Sequence, residues 1–427
     1  MAWPRRRIAW VAGSVLVTLA VTFVVLNLIP PNQRVQKPVE RQYATGEPAY
    51  FRALGTLLGP SILAGNRVTA LQNGREIFPA MLDAIRSARE TITFESYIYW
   101  SGDIGQAFAE ALSERARAGA RVHLLLDWFG SQKIEDRLLA LMRDAGVEVQ
   151  LYRPLSWYHL GRLNNRTHRK LLVVDGRVGF TGGVGIADQW DGDAEDPSHW
   201  RDTHYRVEGP VVAQMQATFL DNWSKVSGEV RHGPEYLPPA VPAGAMRAQM
   251  FSSSPEGGAQ SMHLMYLLVL TAATTTVDLS SAYFIPDALT SDALVAALRR
   301  GVRVRIIVPG PIIDTDFVRR AGRSTWGPLL AAGAQIHEYQ PTMFHCKLLV
   351  VDGLLVSVGS TNFDPRSFRL NDEANLNVYD TDFAAAQTAV FERDMARSRR
   401  VTLAEWETRP WHEKLIEHAA GLFGAQL

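Results

Sequence analysis

Two stretches of this chain place the same chemistry-bearing residues at the same spacing. His168-Arg169-Lys170-Leu171-Leu172-Val173-Val174-Asp175-Gly176 returns as His345-Cys346-Lys347-Leu348-Leu349-Val350-Val351-Asp352-Gly353, with only the second residue changed. After five further residues each copy reaches a small pair, Gly182-Gly183 in the first and Gly359-Ser360 in the second. A lone His-x-Lys carries little information, but two copies with one downstream spacing exclude coincidence. A purely structural strand would want neither His nor Lys ahead of its apolar run. Leu-Leu-Val-Val ending in Asp-Gly reads as a short buried strand running into a turn. Side chains alternate faces along a strand, so His168 and Lys170 point one way, as do His345 and Lys347. Two such strands side by side would gather two imidazoles and two ammonium groups at one point. That set suits a phosphodiester. The lysines neutralise its oxygens and the charge of the transition state. One imidazole attacks phosphorus and the other protonates the leaving alkoxide. Small residues at Gly182, Gly183, Gly359 and Ser360 would let backbone come close to the phosphate.

The pattern His-x-Lys-x4-Asp-x6-Gly in two copies resembles the phospholipase D superfamily. The second copy carries Asn362 where the family has Gly-x-x-Asn, and the first has Gly185 there, which makes the two halves of the site chemically unequal. Trp200-Arg201-Asp202-Thr203-His204 and Gly359-Ser360-Thr361-Asn362-Phe363-Asp364-Pro365-Arg366-Ser367-Phe368-Arg369-Leu370-Asn371 are similar to the bacterial cardiolipin synthase branch. The resemblance runs from about residue 50 to the end of the chain. It implies one active site shared by the two copies, a phosphohistidine intermediate with His168 as the nucleophile, and no cofactor or metal. The activity it implies is phosphatidyl transfer, with two phosphatidylglycerol molecules giving cardiolipin and glycerol. A phospholipase D releasing phosphatidic acid, and a phosphodiesterase acting on nucleic acid, are the alternatives. Catalytic roles fall on His168, Lys170, Asp175, His345, Lys347 and Asp352, with Ser360 and Asn362 in support. Each imidazole also needs an acceptor to fix its tautomer. Asp202 follows His168 and Glu373 follows His345 within the family-like stretches, and these two are the expected acceptors. The motif aspartates lie on the opposite strand face from the lysines, which suits bracing better than substrate contact.

The elements that must position these groups alternate. Thr91–Ile98, Val122–Asp127 and Val147–Leu151 read as strands and Gly105–Ala118 as a helix. The order repeats in Thr275–Phe284, a helix near Asp287–Arg300, Val302–Val308 and Ala334–Tyr339. The fold class is therefore α/β, with two similar halves, each a mixed sheet covered by helices. The expected organisation is an anchor over 1–31, a tether over 32–48, a first half over 49–232, a Pro- and Gly-bearing linker over 233–258, and a second half over 259–427.

Lys+Arg and Asp+Glu both number 44, so the chain as a whole lacks the basic field expected of a nucleic-acid enzyme. The single cysteine, Cys346, permits no intrachain disulfide and should face the core. Ile8 to Ile29 is 22 residues without a charge, behind Arg5-Arg6-Arg7. At full helical rise it reaches roughly 33 Å, enough for a membrane span, and no small-x-small cleavage site ends it. The leading arginines favour a catalytic part outside the cytoplasm of a bacterial cell, beside the inner membrane. Expected partners are phospholipids, phosphatidylglycerol first, and the membrane, with no nucleic acid. The acidic run from Asp188 to Asp196 lacks the glycine of an EF-hand and reads as a solvated loop. Trp411, Leu415, Ala419, Leu422 and Phe423 follow helical spacing, for the core or for a membrane surface. Trp157, Tyr158 and Leu160 are either packed core or an apolar lip, and Arg366 and Arg369 either bind a headgroup or are surface charges.

Overall fold

The computed structural model describes residues 3–28, 35–154, 164–254 and 261–422. In the first half the strands are β1 (Leu63–Gln72), β2 (Thr91–Ser96), β3 (Arg121–Asp127), β4 (Glu148–Tyr152), β5 (Leu171–Val174), β6 (Val178–Gly182) and β7 (Thr203–Glu208). The second half holds β8 (Met246–Ser253), β9 (Thr276–Ser280), β10 (Arg303–Pro309), β11 (Gln335–Tyr339), β12 (Leu348–Val351), β13 (Leu355–Gly359), β14 (Glu373–Tyr379) and β15 (Ser398–Val401). Fully buried β2 leads into the helix Asp103–Arg117, whose Phe108, Ala109 and Leu112 face the same core, and then into β3. Strands joined by such helical crossovers must run parallel. Accordingly β2, β3 and β4 pair in parallel, as do β9, β10 and β11. The motif strands β5 and β12 instead open antiparallel hairpins. Their turns place Asp175 and Gly176 at φ +51° and +61°, and Asp352 and Gly353 at +53° and +59°, a left-handed conformation that Asp tolerates and Gly adopts freely.

The strands form one ordered series, β15-β11-β10-β9-β12-β13-β14-β8-β1-β7-β6-β5-β2-β3-β4. Read outward from the antiparallel junction of β8 with β1, both directions give the same order of equivalent strands, with β15 added at one edge. The duplication is therefore a pseudo-twofold about that junction. The motif strands use both faces. Leu172 and Val174 pack into the core of the first half, and Leu349 and Val351 into that of the second. Leu171, Val173, Leu348 and Val350 meet in a third cluster that joins the halves, and Cys346 lies in it as a buried free thiol.

Three expectations need correction. The segment 233–258 is not all linker, because β8 occupies its later part and forms the central strand, with Ala248, Met250 and Phe251 buried; 255–258 lie outside the described residues. Flanking prolines and glycines hid the alternating run Met246–Ser253. The first-half boundary at 49 also fails, since the helix Pro48–Leu58 sends Tyr50, Leu54 and Leu58 into the core of the second half. Finally, the stripe of the terminal helix Trp411–Gly421 is not core: Trp411, Leu415 and Leu422 are exposed, while Phe423 lies outside the described residues. The first helix runs Trp3–Leu28 and exposes Ile8, Trp10, Val11, Leu16 and Leu19. Among the described residues no helix is long and apolar enough to cross a membrane, and the end of the expected span, from Ile29, lies outside them.

Candidate active site

The histidines and lysines of both motifs sit just ahead of their strands, on extended backbone fixed by the opposite half. His168 N–H donates to the carbonyl of Asp372 (2.8 Å), and Asp372 N–H to that of Arg166 (2.9 Å), around a parallel bridge between Thr167 and Asp372. The second motif repeats this: His345 N–H donates to the carbonyl of Arg201 (2.8 Å) beside a bridge between Arg201 and Phe344. Each motif is thus laid alongside the segment leading to the other half's carboxylate. The side chains follow. His345 Nδ1 lies 2.7 Å from Asp202 Oδ2, and His168 Nδ1 lies 3.0 and 3.1 Å from the two oxygens of Glu373. Asp202 and Glu373 are the expected acceptors, but each serves the histidine of the opposite half.

All four groups are nearly or fully buried, and His168, Lys170 and His345 line one cavity of about 540 Å³. Burial pushes His168 down to about 4 and His345 down to about 3, Lys170 and Lys347 push in the same direction, and the carboxylates oppose. Burial works to raise Asp202 and Glu373, yet the facing imidazoles and ammonium groups hold both below the ordinary carboxylate value. The site therefore rests with ionised carboxylates and neutral imidazoles whose Nδ1–H donates to them, leaving each Nε2 a lone pair. The two rings differ in their surroundings. Lys347 Nζ lies 3.0 Å from Nδ1 and 3.1 Å from Nε2 of His345, against the ring rather than on one lone pair, whereas Nε2 of His168 has no hydrogen-bond partner among the described residues.

Lys170 is pushed down to about 7 by burial, with Lys347 adding to the fall and Glu373 opposing it. Its charged form is present below that value and lost as pH rises through it, so kcat/KM should decline above a pH of about 7. Lys170→Arg stays charged and should remove that alkaline limb, even if its absolute rate is lower. Matched pH profiles check this, and a wild-type profile flat up to alkaline pH would show that this charge does not limit the rate.

The other site residues divide. Ser360 Oγ donates to Glu373 Oε2 (2.5 Å), and Asn362 lines the cavity. In the first copy a Cβ on Gly183 would stand 2.2 Å from Asp202 Oδ1, and one on Gly185 would stand 2.9 Å from Ile98 Cβ and 3.2 Å from the Trp190 ring. The absent Asn is thus replaced by packed Trp190, which also donates its Nε1–H to Asp202 Oδ2 (2.9 Å). The glycines make room for protein rather than phosphate: a Cβ on Gly182 would stand 2.6 Å from the carbonyl of Thr203. Asp175 and Asp352 do not line the cavity, which corrects their placing among catalytic residues. Strand rise carries them to the far ends of β5 and β12. There Asp175 accepts from the N–H groups of Arg89, Glu90 and Thr91, and Asp352 from those of Thr274, Thr275 and Thr276.

Sequence reasoning missed several lining residues, among them Tyr97, Arg166, Trp190, Tyr283, Asp314 and Asn371. Trp190 and Trp200 hold their rings 5.4 and 5.5 Å from that of His345, and Tyr97 lies 5.1 Å from that of His168. A repeat comparison could have flagged Trp190 as the filler of the Gly185 gap; Tyr97 and Tyr283 lie in stretches read as strand, just beyond the ends of β2 and β9, and the others come from loops without periodic signal. Arg366 lines the cavity and bonds Asn164 (2.8 Å), whereas Arg369 pairs with Asp287 away from it. The acidic run does separate jobs. Asp188 accepts from Asp103 N–H (3.2 Å) and Ile104 N–H (3.0 Å) at the start of the helix Asp103–Arg117, and Asp193 accepts from Asn73 Nδ2. Trp157, Tyr158 and Leu160 lie outside the described residues.

Two histidine–carboxylate pairs, two lysines and a pseudo-twofold define a phospholipase D-like protein built to handle a phosphodiester. The profile described as "Cardiolipin synthase, PLD-like domain" matches residues 81–223 and 266–395. Cardiolipin synthase A of Pseudomonas fluorescens is 35% identical over 365 residues, 85% of this chain and 75% of that protein. The major cardiolipin synthase of Bacillus subtilis is 33% identical over 360 residues, 84% of this chain and 74% of its own length. Among solved structures, phosphatidylserine synthase of Haemophilus influenzae superposes with a TM-score of 0.66 at 14% identity, covering 88% of this chain and all (100%) of that one, which shows the shared fold. The chain belongs to the cardiolipin synthase family of phospholipase D-like proteins.

Proposed function

We propose that this protein is a phosphatidyltransferase that joins two phosphatidylglycerol molecules into cardiolipin and releases glycerol. The observation that carries the reading is the crossed pair of histidine–carboxylate contacts opening on one cavity, in a chain about a third identical to cardiolipin synthases. The phosphodiester of the first lipid sits by the two lysines, and its negative charge raises the affinity of the nearby imidazoles for a proton. His168, its Nδ1 held by Glu373, attacks phosphorus through Nε2, and His345, which has taken a solvent proton onto Nε2 as the diester binds, gives that proton to the departing glycerol alkoxide. The headgroup hydroxyl of the second lipid then returns its proton to His345 and attacks the phosphohistidine, which restores His168. The open Nε2 of His168 favours it as the nucleophile, because the Lys347 ammonium lies against both ring nitrogens of His345 and lowers its nucleophilicity.

Transfer must outrun hydrolysis by water. A bound acceptor hydroxyl can do so, because positioning gives effective molarities of roughly 10⁵ M or more. Full-length protein in phosphatidylglycerol–detergent micelles should release cardiolipin and free glycerol in equal amounts, with little phosphatidic acid. Phosphatidic acid as the main product at saturating lipid would make the protein a phospholipase.

The segment from Ile8 to Ile29 is proposed as the membrane anchor. Its support is an apolar surface that water would not stabilise: Trp10 is 77% exposed, and Ile8 and Leu16 each 67%. The arginines ahead of it favour a catalytic part outside the cytoplasm, at the bacterial inner membrane. Reporter fusions after residue 45 should be active with an exported reporter and silent with a cytoplasmic one; the opposite pattern reverses the orientation.

A further inference from the structure

We propose that Asp314, held by Tyr283, selects the alcohol of the reaction by accepting a hydrogen bond from the central hydroxyl of a glycerol headgroup. The inference rests on the transfer reading above and adds what the site recognises in the group that leaves and the group that enters. Among the described residues two carboxylates line the catalytic cavity, Asp364 and Asp314. Asp364 is 1% exposed and caps its short helix by accepting from Ser367 N–H (2.7 Å). Asp314 precedes the helix Asp316–Ser324 and is exposed at the cavity wall. Its Oδ2 accepts from the phenol of Tyr283 (2.6 Å), which also lines the cavity, and no salt bridge ties it among the described residues. A carboxylate in a cavity that takes phosphate repels the substrate unless it meets another part of it. An ionised carboxyl only accepts hydrogen bonds, so that part must donate. The phosphate and ester oxygens of phosphatidylglycerol are acceptors, and its headgroup hydroxyls are its only donors.

The placing fits both steps. Leaving and entering alcohols each exchange a proton with His345, so both headgroups stand on its side of phosphorus. In the departing glycerol and in the attacking headgroup alike, the central hydroxyl is free. Asp314 is among the charges that act on Lys347, which lies against the His345 ring, and Asp127 is among those that act on Lys170. Asp127 cannot meet an alcohol: it is 0% exposed and accepts from the N–H groups of Phe129, Gly130 and Thr167 at 2.9 to 3.0 Å. The duplication sets Tyr283 apart as well. Ser96 Oγ donates to the carbonyl of Ile98 and Ser281 Oγ to that of Tyr283, in strands paired alike with their motif strands. The first copy thus has an apolar side chain where the second has the phenol that holds Asp314. An ammonium headgroup would meet the charge of Lys347 near the same carboxylate, which favours a hydroxyl.

The test uses the full chain with micelles of a phosphatidyl ester of p-nitrophenol and equal concentrations of propane-1,2-diol and propan-1-ol. The two alcohols react through the same primary hydroxyl and differ only in the central one. Mass spectrometry of the lipid products gives the choice as a ratio, whatever the overall rate. A site that hydrogen-bonds a substrate hydroxyl discriminates against the analogue lacking it, so wild type should favour the diol at least tenfold. Asp314→Ala should bring the ratio to within twofold of unity. Tyr283→Phe, which leaves the carboxylate present but no longer held, should fall between, and thermal midpoints check that both variants fold. A wild-type ratio near unity, or a preference that survives in Asp314→Ala, would overturn the proposal. So would ethanolamine that outcompetes the diol in wild type but not in Asp314→Ala, since Asp314 would then bind a cation. A protein that chooses the diol through Asp314 yet makes no cardiolipin from phosphatidylglycerol overturns only the preceding reading. One that makes cardiolipin while its ratio ignores Asp314→Ala overturns only this one. A protein that forms no lipid product with any alcohol overturns both.

Discussion

His168→Ala and His345→Ala are each expected to lower turnover by roughly 10⁴-fold or more while leaving the fold intact, because one removes the nucleophile and the other the proton donor. Neither change strands its carboxylate partner. Glu373 keeps its hydrogen bond from Ser360, and Asp202 keeps those from Trp190 and the backbone of Thr203. Thermal midpoints should therefore stay near wild type. The two variants should part company on a phosphatidyl ester of p-nitrophenol, which leaves without needing a proton. His345→Ala should then recover a burst of nitrophenolate and accumulate a phosphoryl adduct on His168, whereas His168→Ala should stay inactive. An adduct trapped on His345 instead would exchange the roles. Wild-type turnover in either alanine variant would end the shared-site reading altogether.

What the sequence made legible, and what it did not, follows from the range of the interactions involved. The motif strands could be read because their signal is local: four apolar residues, a turn pair and alternation within nine positions. The duplication was visible because β2 to β4 and β9 to β11 repeat the same order of elements, down to Gly119 and Gly301, both at positive φ before β3 and β10. Asp202 and Glu373 could be named as partners, but their crossing could not. It is set by backbone bridges between segments far apart in the chain, Thr167 with Asp372 and Arg201 with Phe344, and spacing within one half points the other way. The same holds for β8. Its run Met246–Ser253 is short and set among prolines and glycines, and only pairing with both β14 and β1 makes it the centre of the sheet. Asp175 and Asp352 show the opposite failure. A motif position was taken for a role in the chemistry, while the strand alternation already placed those carboxylates at the turn.

The crossing has its own consequence, the second largest expected. Glu373→Gln and Asp202→Asn should each cost about 10²- to 10⁴-fold in kcat, as loss of a buried carboxylate behind a catalytic imidazole does elsewhere. The amide keeps the size of the side chain but removes the charge that stabilises imidazolium, and its NH₂ group can donate to Nδ1 and drive the proton onto Nε2. Burial leaves no water to repair either fault, since Asp202 and Glu373 are both 0% exposed. If Glu373 serves His168, Glu373→Gln blocks attack on phosphorus, and a better leaving group cannot help. If Asp202 serves His345, Asp202→Asn impairs proton delivery, and the nitrophenyl ester should restore its burst to near the wild-type rate. The contact of 2.7 Å between Asp202 and His345 and those of 3.0 and 3.1 Å between Glu373 and His168 require that order. A burst recovered in Glu373→Gln but not in Asp202→Asn would mean either that each carboxylate serves its own half or that His345 is the nucleophile. The adduct trapped in the histidine variants separates those two outcomes, because only the second places the phosphoryl group on His345.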